Sequence, residues 1–242
     1  MGCLSCILID NLRLGRIKGE KEAEMGVKQK SLSVGVLAVL CIALTLSAAE
    51  IHVPADYTTI QEAVDAAAAG DTIIVAAGTY VGASIGEKSD LTLRGESGAV
   101  INGRIVISNC TNIVIEGFQI TSPQEGILIL GAVNGLTIRN NDIVNCGLHG
   151  ITFAVDSSYT NVLIEGNTVN KNGYDGIQLL GTAVPGTGET PLPPVTIRGN
   201  HINNNGQRAD TGVGIRVGRH NPGVVIENNE ITGNSFAGIH PA

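Results

Sequence analysis

The chain has 242 residues, with 15 basic and 22 acidic side chains, a formal net charge of −7, no tryptophan and only 3% aromatic residues. An acidic chain without a basic stripe has no footprint for nucleic acid. Its five cysteines follow none of the zinc-binding spacings, which excludes a zinc module.

Residues 1–49 differ in kind from the rest. Residues 32–46, LSVGVLAVLCIALTL, form an apolar run that follows Lys28 and Lys30 and precedes Ser47-Ala48-Ala49. That charged, apolar, small order predicts a secretory leader over 1–49, cleaved after Ala49, with Met25 as its true start. The run falls short of the roughly 20 residues of a membrane span, so the mature chain is expected to be secreted or held at the cell surface or periplasm without one. The leader holds 6 of the 15 Lys+Arg and 4 of the 22 Asp+Glu, so residues 50–242 keep 9 and 18, a net charge of −9. Such a surface repels a polyanion unless a cation such as Ca²⁺ bridges the two. Only Cys110 and Cys146 remain, in different columns of the repeat described below, and they are expected as buried free thiols.

A capping box at Thr59-Ile60-Gln61-Glu62, an apolar stripe of Ile60, Val64, Ala67 and Ala68, and a stop at Gly70 predict a short helix over 59–69. The β-branched run Thr72–Val75 predicts a strand. A small amphipathic helix before a solenoid covers the open end of its core.

From residue 105 onward one phrase returns five times: NIVIEGFQITSPQEGILI, GLTIRNNDIVNCGLHGITF, NVLIEGNTVNKNGYDGIQL, PVTIRGNHINNNGQRADTGVGIRV and GVVIENNEITGNSFAGIHP. Aligned, it yields columns: Ile115, Ile138, Ile164, Ile197 and Ile226; then Ile120, Ile143, Val169, Ile202 and Ile231. After a glycine (Gly126, Gly150, Gly176, Gly214, Gly238) come Ile127, Ile151, Ile177, Ile215 and Ile239. The runs are short, β-branched and alternating, hence strands. A repeat that closes in 24 residues is too short for a βαβ unit of about 30. Each copy is therefore one coil of a parallel β-helix, with like residues stacked at about 4.8 Å.

The turn between the first two strands carries Gly117-Phe118, Asn140-Asn141, Gly166-Asn167, Gly199-Asn200 and Asn228-Asn229. Glycine and asparagine tolerate a left-handed backbone, and stacked asparagine amides can bond one another. This predicts an inward asparagine ladder closed at one end by Phe118. The outward column Glu116, Arg139, Glu165, Arg198, Glu227 alternates in sign and is expected to pin register. The last strand, at Ile239-His240, opens a coil that the sequence does not close, so the C-terminal end is expected to be truncated.

The segment VPADYTTIQEAVDAAAAGDTIIVAAGTY, followed by the asparagine- and glycine-marked repeats, resembles the secreted right-handed parallel β-helix superfamily, the pectin-lyase-like fold. Within it the chain resembles the carbohydrate-binding and sugar-hydrolase, NosD-like repeat group. The resemblance implies an all-β solenoid of roughly seven coils over residues 50–242, with a capping helix over 59–69 and repeat coils over 105–242. That superfamily contains polysaccharide lyases, glycoside hydrolases, uronate epimerases and noncatalytic adhesins, so fold alone selects none of them. The hydrolase motifs are missing: there is no Asp-Asp pair, Gly147-Leu148-His149-Gly150 departs from Gly-His-Gly, and the only Arg-Ile-Lys, Arg16–Lys18, lies in the leader. Where epimerases carry Asp-Pro-His-Asp this chain has Val155-Asp156-Ser157-Ser158, and a lyase base would have to come from Lys88, Lys171 or an arginine.

Candidate site residues come from the repeat's irregularities. Just before the repeat glycines stand Glu125, His149, Asp175, Val213 and Ala237. The first three place an acid, an imidazole and an acid on successive coils, able to orient a proton transfer or hold a metal. Two positions past the glycine lie Leu128, Thr152, Gln178, Arg216 and His240; Gln178 and Arg216, with His220, are the substrate-binding candidates. The glycine spacing of 24, 26, 38 and 24 locates insertions at 181–194 and 207–213, which solenoids place on one face, often the binding face. Arg208, Asp210, Arg219 and His220 lie near them in sequence. The expected function is a noncatalytic scaffold contacting polysaccharide or envelope material. The alternatives are a polysaccharide lyase, hydrolase or epimerase, and a metal-handling periplasmic protein. No cofactor is expected, apart from Ca²⁺ if the chain is a lyase, and the chain is expected as a monomer or as part of a longer multidomain protein.

Overall fold

A computed structural model describes residues 48–184, 194–208 and 212–241. The predicted leader and its start at Met25, the middle of the insertion at 181–194, and Asp210 lie outside the described residues.

Among the described residues every strand pairing is parallel, and the strands wrap around three faces. Face A carries the column Ile127, Ile151, Ile177, Ile215 and Ile239, each in register with the next. Face B carries Ile115, Ile138, Ile164, Ile197 and Ile226. Face C carries Ile120, Ile143, Val169, Ile202 and Ile231. Two long strands, Ile105–Glu116 and Ile127–Arg139, run from face A through the corner to face B. Among the described residues face C has seven strands, matching the expected number of coils, and face B adds an eighth level. The pattern reaches further toward the N-terminus than the fivefold phrase. Thr72–Val75 and Ser89–Gly95 pair in register with each other, and the second of them with Ile113–Glu116. They belong to the coil although they lack its asparagines.

The helix spans Ile60–Ala66 and has both halves of the capping box, with Ile60, Ala63 and Val64 buried in the common core. It ends at Ala66 rather than running to 69, because Ala67 turns to extended backbone (φ −64°, ψ 136°). The buried Asp71 competes for the next turn: its carboxylate accepts the N–H of Ala68 at 2.9 Å and of Ala49 at 2.8 Å. Lys88 Nζ caps the freed helix end through the carbonyls of Asp65 and Ala67, where a cation opposes the helix dipole.

Inside the coil the asparagine ladder forms as expected. Asn141 donates its amide to Asn167 Oδ1 at 3.1 Å, Asn167 to Asn200 at 3.0 Å, and Asn200 to Asn229 at 2.9 Å. Each of these acceptor oxygens also takes the backbone N–H of the residue below. Each amide bonds a carbonyl on the preceding coil as well, from Ile115 to Ile197. The N–H of Phe118 closes the series on Asn141 Oδ1 at 3.0 Å.

A second ladder, not anticipated from the sequence, stands at the turn between faces C and A. Asn172 donates to Asn205 and Asn205 to Asn234, both at 2.9 Å, and the N–H of Cys146 closes it on Asn172 Oδ1. Its turns obey the grammar of the first, since Asn145, Lys171, Asn204 and Gly233, the residues just before, all have φ between 54° and 64°. It also explains the repeat glycine. A Cβ on Gly150 would lie 2.6 Å from Val169 Cγ1 and 3.0 Å from Asn172 Nδ2, and one on Gly176 would lie 2.9 Å from Asn205 Nδ2. The glycine column is the clearance for the face C side chains, the carbonyl of the next repeat glycine and the second ladder together.

On face B the charge stripe pairs off in twos. Arg139 Nε meets Glu116 at 2.6 Å and Arg198 meets Glu165 at 2.8 Å, with Arg94 aligned one level below Glu116. Cys110 and Cys146 are free and buried.

Candidate functional site

The turn from face C to face A sets Glu125, His149 and Asp175 on adjacent coils. Backbone bonds tie their levels together: Gly126 N–H reaches the carbonyl of His149 and Gly150 N–H that of Asp175, each at 3.1 Å. Because the next residue at each level is the inward glycine, these three side chains stand at the outer edge of face A.

Asp175 is the best connected. Its side chain is 2% exposed, and its carboxylate accepts Val213 N–H at 2.8 Å, Arg216 through Nε at 2.7 Å and a second guanidinium nitrogen at 3.1 Å, and Gln178 Nε2 at 3.0 Å. The bidentate carboxylate raises the already high pKa of Arg216 by hydrogen bonding, and the pair is fixed in geometry as well as charge. The carboxylate thereby staples Val213 and Arg216 across the longest interval in the repeat.

His149 is held from the same side. The backbone N–H of Asp175 donates to His149 Nδ1 at 3.1 Å, so that nitrogen presents a lone pair and the ring proton sits on Nε2. Burial pushes the pKa of His149 down, only partly opposed by the negative charges of Asp175 and Glu125, and Arg216 adds to the lowering. The neutral imidazole lies against Tyr174, with ring centroids 5.5 Å apart and planes tilted by 33°. Glu125 is engaged below: Arg104 meets its carboxylate at 3.0 Å.

Outward along face A, Leu128, Thr152, Gln178, Arg216 and His240 stand in register. Thr152 is 6% exposed, and its hydroxyl has no hydrogen-bond partner. Gln178 and Arg216 are thus brought together with His149 and Asp175 in one cluster. His220 is not. It is exposed in the turn that leaves face A toward face B, and its carbonyl accepts Ala183 N–H at 2.9 Å, so it serves the shoulder of the insertion instead.

Three members of the site were not among the candidates chosen from the sequence. Tyr174 sits in the turn next to Asp175, Arg104 occupies the glycine slot one coil before the fivefold phrase begins, and Thr152 passes as an ordinary outward strand residue. The tie beneath the long insertion is equally hidden. Asn221 donates to the carbonyls of Leu179, Gly181 and Gly218 and accepts the hydroxyl of Tyr159, whose ring packs on Phe153 at 4.5 Å. A separate groove of about 360 Å³ opens above this tie, between Asn109, Asn134, Ser158, Thr160 and Val184. Among the described residues no three His, Cys, Asp or Glu side chains gather as metal ligands, and no helix is long and apolar enough to cross a membrane.

The family described as right handed beta helix region matches residues 81–242, more than half of the chain. The protein belongs to this family of right-handed parallel β-helices. No curated protein matches it. Among solved structures it is similar to an alginate lyase from Paenibacillus sp. str. FPU-7, with 18% identity, a TM-score of 0.49 and 75% of each chain covered.

Proposed function

We propose that this chain is an exported, noncatalytic β-helix scaffold that contacts polysaccharide or envelope material along face A. The observation that carries this reading is the hydrogen bonding of the acid-imidazole-acid column. A general base needs a free lone pair within reach of the proton it removes, yet the lone pair of His149 Nδ1 is engaged by Asp175 N–H. A carboxylate pair for glycoside hydrolysis needs one acid and one base facing the sugar from about 5–10 Å apart. Asp175 is saturated by Val213, Gln178 and Arg216, and Glu125 is bound to Arg104. These groups act as a frame that presents the Nε2–H of His149, the hydroxyl of Tyr174 and the amide of Gln178 along a straight row of strands. A row repeating at about 4.8 Å suits an extended polymer better than a compact small molecule. Export rests on the apolar run 32–46 and its flanks.

Incubation with a polysaccharide panel, with and without Ca²⁺, tests this directly. Retardation of the protein in polymer-containing gels without release of product is expected. New unsaturated ends absorbing in the ultraviolet, or new reducing ends, would replace the scaffold with a lyase or a hydrolase.

A further inference from the structure

On that reading, we infer that the polymer taken on face A is a neutral, hydroxyl-rich glycan and not a uronate. The site cancels its own charge. Asp175 and Arg216 form a two-point ion pair, Glu125 is matched by Arg104, and the imidazole between them is uncharged while its Nδ1 accepts the Asp175 N–H. A ligand carboxylate would have to share Arg216 or Arg104 with the carboxylate each already serves, and a carboxylate desolvated without a full partner is far costlier than a hydroxyl that finds one hydrogen bond. The whole domain opposes it too, since residues 50–242 carry 9 basic against 18 acidic side chains and repel a polyanion at long range.

What the row does offer is a mixture of donors and acceptors of the kind a sugar hydroxyl uses, because such a hydroxyl both gives and takes a hydrogen bond. His149 Nε2–H is a donor. Gln178 has spent one amide hydrogen on Asp175 Oδ2 and still has a carbonyl acceptor. Thr152 is aligned in the same row between Leu128 and Gln178, with Ile151 and Phe153 on either side of it in the core. Thr152 is 6% exposed and its hydroxyl, itself enclosed, has no hydrogen-bond partner, whereas buried polar groups in folded proteins are almost always satisfied. The tilted pair of His149 and Tyr174 supplies a partly apolar edge for the C–H side of a sugar ring. Of the exposed cations closest in sequence, Arg219 lies in the turn after the strand Val213–Val217, and Arg208 lies in the turn before it with its side chain against Gly173, beside Tyr174 and outside the row.

Affinity electrophoresis of the purified chain through soluble glucan, mannan and xylan, and in parallel through polygalacturonate and alginate, decides the matter. Retardation by at least one neutral polymer is expected, changing less than about twofold between 50 and 300 mM NaCl because no counterion is released. Tyr174→Ala and His149→Gln should each weaken it by about tenfold, the size of one well-placed contact, while Arg208→Ala leaves it unchanged. Circular dichroism of each variant shows that the fold persists. Retention by the uronates alone, suppressed by salt and lost in Arg208→Ala, would overturn the neutral-ligand inference and leave polysaccharide binding intact. Retention by neither class removes the binding function and this inference together. Neutral binding untouched by both His149→Gln and Tyr174→Ala places the ligand elsewhere and refutes the assignment to face A.

Discussion

The backbone N–H of Cys146 donates to Oδ1 of Asn172 at 2.9 Å, so the second ladder ends on a thiol as the first ends on the phenyl ring of Phe118. In both ladders the terminal residue gives its N–H upward but has no amide with which to continue the chain. Asn172 is fully enclosed and bonded to Ile143, Cys146 and Asn205. Asn172→Ala would strand the Cys146 N–H and the Ile143 carbonyl, at a cost of about 2–3 kcal/mol for the pair. Cys146→Asn is expected to do the opposite, extending the ladder by one coil toward the Ile120 carbonyl at little or no cost. Denaturant midpoints of the two variants, compared with the parent, check both signs.

The thiols give a kinetic readout of the same core. Burial pushes the Cys146 thiol up to about 12, and the thiolate is the reactive species. At pH 8 neither Cys146 nor Cys110, both 2% exposed, should react with a thiol reagent until the coil unfolds. The rate of labelling is then expected to follow denaturant concentration in step with global unfolding. Rapid labelling of native protein at either position would contradict the enclosed packing around it.

How much of this was legible in the sequence depended on whether a position repeats by identity or by role. The isoleucine columns and the first ladder repeat by identity, so aligning five copies placed Ile115 over Ile138 and Asn141 over Asn167 in the observed register. The second ladder was obscured by its own terminus. Its lowest member is Cys146, and its turns begin with three different residue types, Asn145, Lys171 and Gly233, that share a left-handed backbone and nothing else. The glycine column was visible, but its cause was not, because the clash with Asn172 exists only once the coil is closed. At the site, alignment found the stack of Glu125, His149 and Asp175, since stacking follows from register. It did not reveal that Asp175 spends its carboxylate on Val213 and Arg216, some 38 and 41 residues away. Those partners depend on how the long insertion folds back, which no periodicity encodes.

That dependence makes Asp175 the most sensitive position outside the apolar core. Asp175→Ala would leave Val213 N–H unpaired and the Arg216 guanidinium, 22% exposed, without its carboxylate. The lost hydrogen bonds to the buried Val213 N–H and to the partly buried guanidinium put the expected loss at about 2–4 kcal/mol. Asp175→Asn keeps an acceptor for Val213 and should recover part of it. By contrast, Arg139→Ala on face B, where the arginine is 43% exposed beside Glu116, should cost no more than about 1 kcal/mol and less at high salt. Thermal midpoints of the three variants at two salt concentrations separate the staple from the stripe.

His149 makes the last test, through pH. Burial lowers its pKa in the folded chain, against the raising influence of Asp175 and Glu125, whereas in the unfolded chain it titrates near its ordinary value of about 6.5. Between those two values the unfolded state binds the extra proton, so stability rises with pH across the window. The contribution of His149 is therefore complete above about pH 6.5 and is lost progressively as pH falls through the depressed folded value, below which it changes no further. Carboxylates elsewhere add their own acid dependence, so the informative quantity is the difference between parent and His149→Gln. That difference should vary with pH only inside the window, in favour of the parent at its upper edge. Nitrogen chemical shifts of the ring at neutral pH should show protonated Nε2 and bare Nδ1. A proton on Nδ1 would require Asp175 N–H to let go, and would restore His149 as a base able to receive a proton at Nε2.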